Sequence, residues 1–274
     1  MRGERNNWKI EAALVFAAAV ALAPIALLTL TAFKSENEVL ALESLIPREW
    51  TLENFRRVLD TPEEVPIGRW FFNSLLIASA TTALVLAVSS LAAYVLVRLR
   101  PPGSRLIFSI IVGTMMVPGQ ILLVPLYQIL DQLHWIDTPM ALVFPGAAGA
   151  FGTFMLAQFF RGIPVELEEA AVLDGCGRFG VFRHVVLPLG APAFATLAIF
   201  TFIGSWNNFI APLVFLDSLR NYTLPVGIAL FQSSYAAEYG VTFAASFLST
   251  LPVLAAFLLF QRHIVQSVAL TGLK

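Results

Sequence analysis

The residues of this sequence that could do covalent or metal chemistry are few and widely separated. The histidines are His134, His184 and His263, and none is spaced as an HxxH or HxxxH pair that could bind a metal. Cys176 is the only cysteine, which excludes an internal disulfide framework and the common cysteine-rich metal sites. A nucleophile with a neighbouring base, such as Ser with His, is not predicted inside any apolar segment, because the histidines lie near segment ends or outside. We therefore expect no catalytic and no metal-binding residues.

The composition places the chain in a membrane. Of its 274 residues 58% are apolar and only 13% are charged, whereas globular domains carry about 25% charged residues. A chain this apolar needs lipid against much of its surface. The net charge of -1 makes nucleic acid an unexpected partner.

Six apolar segments are long enough to cross a bilayer as helices, which takes roughly 20 residues. None of them contains Asp, Glu, Lys or Arg. Together they form one transmembrane domain over residues 12–274, and the predicted spans are 12–33, 70–97, 106–130, 138–160, 191–216 and 241–260. Prolines within or near several of these segments favour bent helices, although proline is also common in ordinary membrane helices.

The basic residues predict the orientation. Eleven of the seventeen Lys and Arg residues fall on one side of the six spans, and this side is expected to be cytoplasmic. They are Arg2, Arg5, Lys9, Arg98, Arg100, Arg105, Arg161, Arg178, Arg183, Arg262 and Lys274. Both termini, including an N-terminal segment 1–11, are therefore expected in the cytoplasm. The long loop 34–69 and the loop 217–240 are expected on the outside.

A polar, small-residue segment between the fourth and fifth spans predicts a helix–turn–helix on the cytoplasmic surface. Pro164 suits a first helical turn, and the acids at 166, 168 and 169 favour the positive end of the helix dipole. Leu167, Ala170, Ala171 and Asp174 follow helical spacing, and Gly175 is suited to a left-handed end. A second short helix is expected to place Phe179, Phe182 and Val186 on one face and to stop at Pro188. From the pattern alone, a connector resting on lipid headgroups is equally compatible.

The same segment carries a family motif. EAAVLDG at 169–175, nine further residues and VVLP at 185–188 resemble the EAA signature, EAA-x3-G-x9-I-x-LP, of ABC importer permeases, with Val185 in place of Ile. Further stretches are similar to the carbohydrate-uptake branch that contains the smaller maltose permease subunit. They are ENF at 53–55, FFNSLLIA at 71–78, SSLAAYVLVRLRPPG at 89–103, MMVPGQILLVPLYQIL at 115–130, QFFRGIPVELEEAAVLDG at 158–175, FIGSWNNFIAPLVFL at 202–216, TLPVGI at 223–228 and FQRHIV at 260–265.

This resemblance implies an all-α integral membrane protein with the ABC type I importer permease fold and a cytoplasmic coupling helix. The coupling helix would carry Glu169, Ala170, Ala171, Asp174 and Gly175. The resemblance implies two separate ATPase subunits that bind ATP and Mg, and this sequence itself contains no GxxxxGK[ST] loop. The other implied partners are a second, homologous permease and an extracytoplasmic solute-binding protein, in a bacterial or archaeal inner membrane. The chain has DGCGR and QSVALTGLK where the family usually has DGAS and an ending like GxxxGAVKG, so the family's C-terminal contact with the ATPase is not carried over.

The resemblance implies import of an oligosaccharide or disaccharide, with import of glycerol phosphate or a related polyol as the alternative. Polar residues within the spans could line the path: Asn73, Gln120, Gln128, Trp206, Asn207 and Asn208. Hydrogen-bonding side chains next to an aromatic face suit a sugar, but Asn and Gln equally often bridge neighbouring helices. A phosphorylated solute would favour basic residues along the path, and no span contains one. A proton- or sodium-driven transporter is less expected, because such proteins usually hold ionisable residues within their spans.

Overall fold

The computed structural model describes residues 8–41, 44–60, 66–147, 149–234 and 238–271, and all regular elements among them are helical. The predicted all-α fold is thus confirmed. The α-helices are α1 (Trp8–Ala32), α2 (Glu36–Ala41), α3 (Glu53–Leu59), α4 (Ile67–Tyr94), α5 (Ser104–Thr114), α6 (Leu123–Gln132), α7 (Met140–Ala147), α8 (Ala150–Arg161), α9 (Val165–Leu173), α10 (Arg178–Val181), α11 (Leu187–Leu189), α12 (Ala191–Trp206), α13 (Ile210–Phe215), α14 (Leu224–Ser234) and α15 (Tyr239–Thr271). A π-helical turn at Val95–Leu99 extends α4, a second lies at Phe182–Val186, and a 3-10 turn at Gly119–Leu122 precedes α6.

Three helical stretches among the described residues are long and apolar enough to cross a membrane: Trp8–Ala32, Ile67–Leu99 and Met140–Arg161. They coincide with the first, second and fourth predicted spans. Two further stretches qualify only as bent pairs, so the number rises to five if each pair is one span. The sixth predicted span, 241–260, falls on α15, which is apolar over Tyr239–Ala255 and continues into positions whose side chains lie outside the described part. Residues 1–7 of the predicted N-terminal segment and residues 272–274 at the C-terminal end are not among the described residues.

The third predicted span is broken rather than continuous. Ser104–Thr114 and Gly119–Gln132 are bent by 92° relative to each other. Pro118 adopts an extended conformation at the break, and its ring cannot continue the helical hydrogen bonding of α5. The span therefore consists of two short helices that meet at a corner.

The fifth predicted span, 191–216, starts at a bend and is broken again in its interior. The stretch Arg178–Leu189 is bent by 75° relative to α12. A side chain at Gly190 would come within 2.9 Å of the Phe194 ring and the Val186 carbonyl, so this bend depends on glycine. Farther along, α12 stops at Trp206 and α13 starts at Ile210. A continuous helix is disfavoured here because Pro212 has no N–H to donate to the Asn208 carbonyl, and its ring would clash with that carbonyl.

The contacts divide the chain into two compact parts, Met1–Ile67 with Gly227–Leu251, and Gly68–Val226 with Pro252–Lys274. In the first part the buried amide of Asn54 donates to the carbonyls of Ala32 (2.9 Å) and Lys34 (2.7 Å). The Glu36 carboxylate accepts from the backbone N–H groups of Tyr239 (2.9 Å) and Gly240 (2.8 Å) and so caps α15. The aromatic rings that pack beside these bonds belong to Phe33, Trp50, Phe55 and Phe247. Polar bonds and aromatic packing thus join loop 34–60 to the start of α15.

The core of the second part joins the end of α4 to α8 and α12. Its fully buried members include Ala93, Leu156, Phe160 and Leu197. A smaller cluster of Leu130, Ala141 and Phe215 joins α6, α7 and α13. Burying large apolar side chains such as these stabilises a soluble core by roughly 1.5–3 kcal/mol each; in lipid the gain comes instead mainly from close packing.

A carboxylate holds the loop between α6 and α7 against the loop after α13. Asp137, at φ 60°, accepts hydrogen bonds from the backbone N–H groups of Asp217 (3.0 Å) and Ser218 (2.9 Å) and from the Ser218 hydroxyl. Asn221 donates to the Asp137 carbonyl at 2.7 Å. Burial alone would raise the pKa of Asp137, but the hydrogen bonds from Ser218, Asp217 and Asn221 outweigh burial, and the pKa is lowered. The ionised form therefore stabilises this loop pair.

Candidate functional site

Helix α9 is presented as a short, exposed element between two turns. After α8 ends at Arg161, Ile163 is buried and Pro164 adopts an extended conformation immediately before the helix, so the proline precedes the first turn rather than lying within it. Glu166 and Glu168 occupy the first turn, as predicted, and Glu169 begins the next one. Both first-turn carboxylates favour the positive end of the helix dipole.

The end of α9 has the predicted left-handed glycine. Gly175 has φ +88°. The N–H of Gly175 donates to the Val172 carbonyl (3.0 Å) and the N–H of Cys176 donates to the Ala171 carbonyl (2.9 Å). These two bonds form a Schellman motif with Asp174 as the C-cap residue. The motif fixes the direction in which the chain leaves α9.

A buried ion pair ties α9 to the end of α4. The Nε of Arg98 donates to Oε1 of Glu168 at 2.5 Å, and Nη1 donates to the Phe160 carbonyl at 3.2 Å. The side chains of Arg98 and Glu168 are only 6% and 16% exposed. One turn earlier, Tyr94 donates through its hydroxyl to the Arg178 carbonyl (2.9 Å) and packs its ring on Phe182. The end of α4 therefore holds both α9 and the following α10.

The described residues leave the remaining surface of α9 largely uncovered, since none of the helix's own residues is buried. One face, including Val165, Glu168 and Val172, lines an open cleft of about 510 Å³ against Tyr94 and Val181. The predicted stripe of Leu167, Ala170, Ala171 and Asp174 lies on the opposite face of the helix, away from the cleft. Leu173 is 88% exposed. Exposed apolar side chains on both faces are typical of a surface that is covered by another molecule.

The predicted coupling residues are therefore brought together on one accessible helix. Ala170 and Asp174 are exposed, Ala171 is half-buried, and Glu169 is exposed beside the cleft. The expectation for the second helix was partly wrong. Phe182 and Val186 are buried, but Phe179 is exposed, and the chain passes Pro188 within α11 and bends at Gly190 instead.

The six predicted pathway residues fall into two groups. The Asn73 amide donates to the carbonyls of Arg220 (2.9 Å) and Tyr222 (3.0 Å), and Trp206 is 2% exposed and packs against Phe71 and Phe202. For Asn73 and Trp206 these contacts favour the interpretation as bridging and packing residues. The other four are exposed: Gln120, Gln128, Asn207 and Asn208.

Three of the exposed pathway residues lie where helices are interrupted. Gln120 is in the 3-10 turn before α6, and Asn207 and Asn208 lie between α12 and α13. Helices α6 and α13 pack on one another through Leu130 and Phe215. Interrupted membrane helices expose backbone polar groups and commonly surround the solute site of a transporter. Within the described ranges, no group of three His, Cys, Asp or Glu side chains could hold a metal ion.

Sequence reasoning missed the Arg98–Glu168 pair, the Tyr94 bond to α10 and the Asp137 loop contact. The two partners of the ion pair are 70 positions apart, and each has an adequate local explanation. Arg98 fits a cytoplasmic boundary and Glu168 fits a first helical turn. The available signal was a charged residue directly after an apolar span, which must either reach solvent or find a partner.

Comparison with known proteins gives a consistent picture. Residues 85–270 match the family model described as "Binding-protein-dependent transport system inner membrane component". The chain is 31% identical over 271 residues to the arabinooligosaccharides transport system permease protein AraQ of Halalkalibacterium halodurans, covering 98% of this chain and 96% of that one. It is 33% identical to the diacetylchitobiose uptake system permease protein NgcG of Streptomyces coelicolor, with coverage of 94% and 86%. It is 35% identical to the trehalose/maltose transport system permease protein MalG of Thermococcus litoralis, with coverage of 95% and 94%.

A solved structure supports the fold. The crystal structure of a bacterial ABC transporter involved in the import of the acidic polysaccharide alginate contains a chain that matches with a TM-score of 0.82. The match covers 96% of this chain and 98% of that chain, at 24% sequence identity.

Proposed function

Given that this chain belongs to the family of binding-protein-dependent transport system inner membrane components, we propose that it forms half of the translocation pathway for a carbohydrate in an ATP-driven importer. The chain is a multi-pass inner-membrane transport subunit rather than an enzyme. In our proposal ATP is hydrolysed by separate cytoplasmic subunits, and α9 is the helix that couples them to the membrane domain.

The exposed state of α9 is the observation that carries the coupling proposal. The helix is anchored on one side by the Arg98–Glu168 pair and ends in a fixed Schellman turn, yet it leaves apolar and small side chains uncovered. A rigid helix with a small-residue face allows a partner to approach closely and to transmit displacement. A headgroup-resting connector has no need for a buried ion pair, whose desolvation is costly. These features support an ATPase subunit as the partner that covers α9.

An oligosaccharide or disaccharide is the solute class that we propose. Relatives similar along nearly the whole chain are named as permeases for arabinooligosaccharides, diacetylchitobiose and trehalose/maltose. The exposed amides at the helix interruptions, Gln120, Asn207 and Asn208, supply the donors and acceptors that a hydroxyl-rich solute needs. The ligand that remains bound to the copurified solute-binding protein, identified by mass spectrometry, tests this class; a lipid or an amino acid would contradict it.

The proposed assembly contains one copy of this chain, one homologous permease, two ATPase subunits and an external solute-binding protein. One permease chain of this kind supplies only half of a pathway. Native mass spectrometry of the purified complex tests the composition. A homodimer of this chain that transports at the normal rate would contradict the heterodimer.

Substitutions in α9 test the coupling proposal. Gly175→Val forces a β-branched residue into a left-handed conformation that costs at least about 1–2 kcal/mol, so we expect the Schellman turn to be lost. Glu169→Lys reverses an exposed charge beside the cleft. Both variants should lose solute uptake in proteoliposomes and the stimulation of ATP hydrolysis by the binding protein, while the binding protein keeps its own solute affinity.

Two matched variants serve as controls. Gly177 has φ -71°, and a side chain there would have no heavy atom within 4 Å, so Gly177→Val should transport normally. Gly175→Asn should restore part of the activity, because Asn tolerates the left-handed region. If Gly175→Val and Glu169→Lys retain normal uptake and normal stimulation, α9 is only a surface connector.

A further inference from the structure

A cavity of about 760 Å³ opens where α4 ends, α5 begins and α8 ends, and it is lined by three arginines. Arg100 follows the π turn of α4, Arg105 lies in the first turn of α5, and Arg161 is the last residue of α8. The apolar part of the wall includes Val97 and Phe108. This basic cavity is separate from the α9 cleft, which has different lining residues.

The charge in the basic cavity is not neutralised within the described part of the chain. The residues described there provide no carboxylate within ion-pair distance of Arg100, Arg105 or Arg161. By contrast, Arg98 is paired with Glu168. Three guanidinium groups around one opening repel each other, and an anion between them would relieve that repulsion.

Two of the three arginines are held in position by contacts that leave most of their donors available. The Nε of Arg100 donates to the Val97 carbonyl at 2.7 Å. The guanidinium of Arg161 lies 4.8 Å from the centroid of the Phe108 ring, and its Nη1 donates to Gln158 at 3.2 Å. Each guanidinium carries five N–H donors. A positioned arginine with free donors suits a phosphate group, because two N–H groups of one guanidinium can bind two phosphate oxygens at once.

The basic cavity lies at the ends of membrane-crossing helices. Arg100 directly follows Ile67–Leu99 and Arg161 ends Met140–Arg161, both of which are long and apolar enough to span a bilayer. Their ends therefore lie at the level of the lipid headgroups, on the side that the basic residues predict to be cytoplasmic. Basic pockets between membrane helices at this level bind acidic headgroups. We propose that the basic cavity binds the phosphate group of an anionic phospholipid, with apolar wall residues beside its glycerol and upper acyl chain.

Lipid binding to the intact transport complex tests this proposal. The complex is reconstituted in nanodiscs of phosphatidylcholine with increasing phosphatidylglycerol, and native mass spectrometry measures the phosphatidylglycerol retained. One basic residue near a membrane surface contributes about fivefold in affinity. We therefore expect Arg105→Gln and Arg161→Gln each to lower retention about fivefold, and the double variant about 25-fold. Arg161→Lys should keep part of the affinity, because it keeps the charge but loses the paired donor geometry of the guanidinium.

The control is Arg183→Gln, which removes an exposed arginine outside the cavity lining and should leave retention unchanged. Equal retention by the wild type and both single variants would overturn the proposal, provided that the complexes elute as one species in gel filtration. A second arm adds inorganic phosphate to nanodiscs that contain only phosphatidylcholine. If native mass spectrometry shows that the wild type retains phosphate as well as it retains phosphatidylglycerol, the cavity binds a free anion and the lipid assignment is wrong. If Arg105→Gln and Arg161→Gln retain phosphatidylglycerol normally but lose the ATPase subunits from the complex, the basic cavity binds an acidic protein surface and the lipid assignment is wrong.

Discussion

Removing either partner of the Arg98–Glu168 pair should weaken the attachment of α9, and removing both should cost less than the sum of the two single effects. Glu168→Gln leaves the guanidinium of Arg98, only 6% exposed, without its counter-charge. A charge stranded in this way costs about 3–5 kcal/mol. Arg98→Met should cost less, about 1–3 kcal/mol, because the Glu168 carboxylate is closer to solvent at 16% exposure.

The double variant Arg98→Met with Glu168→Gln leaves no buried charge. It should be destabilised by less than the sum of the two single variants, with a coupling energy of about 2 kcal/mol. The loss of the Arg98 bond to the Phe160 carbonyl remains in the double variant, so full recovery is not expected. The free energy of unfolding is measured by titrating the detergent-solubilised protein with sodium dodecyl sulfate, followed by near-UV circular dichroism.

A second cycle on Arg56 and Asp60 provides the control, because this i,i+4 pair has exposures of 76% and 72%. Its coupling should stay within about 0.5 kcal/mol, as for other exposed helix pairs. If the effects of Arg98→Met and Glu168→Gln simply add to give the double variant, the two groups do not interact as we infer. The idea that α4 anchors α9 through this pair would then have to be abandoned.

Three further predictions follow from the loop contacts and the orientation. Because the pKa of Asp137 is lowered, its contribution to stability is fully present above the ordinary carboxylate range and is lost as the pH falls through the lowered pKa. The difference in melting temperature between the wild type and Asp137→Asn should therefore be constant from neutral pH to about pH 5 and shrink below about pH 4; a difference that grows on acidification would contradict this. Asn54→Ala leaves the carbonyls of Ala32 and Lys34 without the buried amide and should cost about 2–4 kcal/mol, whereas the exposed neighbour Glu53→Gln should cost under about 1 kcal/mol in the same unfolding assay. In a Cys176→Ser background, Glu49→Cys and Arg183→Cys, both at exposed positions, should react with a membrane-impermeant maleimide from opposite sides of the membrane; labelling from one side would refute the predicted orientation.

Local chemistry made much of this structure predictable from the sequence. The end of α9 followed from Gly175, because a left-handed cap depends only on a few neighbouring residues. The helical fold followed from the apolar segments, since backbone groups in lipid must be satisfied within the segment. Both levels of prediction use information that lies within about twenty consecutive residues.

The parts that could not be predicted depend on residues far apart in the chain. Prolines indicated bent helices, but the 92° corner at Pro118 also depends on what packs against each half. Asn73 and Trp206 resembled pathway residues because polar and aromatic side chains within a span have the same appearance in a sequence whether they face a cavity or a neighbouring segment. Only the contacts in the structure distinguish the two roles. Asn73 binds the carbonyls of Arg220 and Tyr222, and Trp206 packs against the rings of Phe71 and Phe202.

The unbroken stretch Ile67–Leu99 is fastened at both of its ends. Its 33 residues make a rod of roughly 50 Å at 1.5 Å per residue. Arg98 and Tyr94 fasten its one end to α9 and α10, while Trp70 and Asn73 near the other end donate to the carbonyls of residues 219, 220 and 222. On a rod of this length, a tilt of roughly 5° about one end moves the opposite end by about 4 Å. Under the proposed coupling, this stretch carries a displacement of α9 to residues 219–222, to which its other end is hydrogen-bonded.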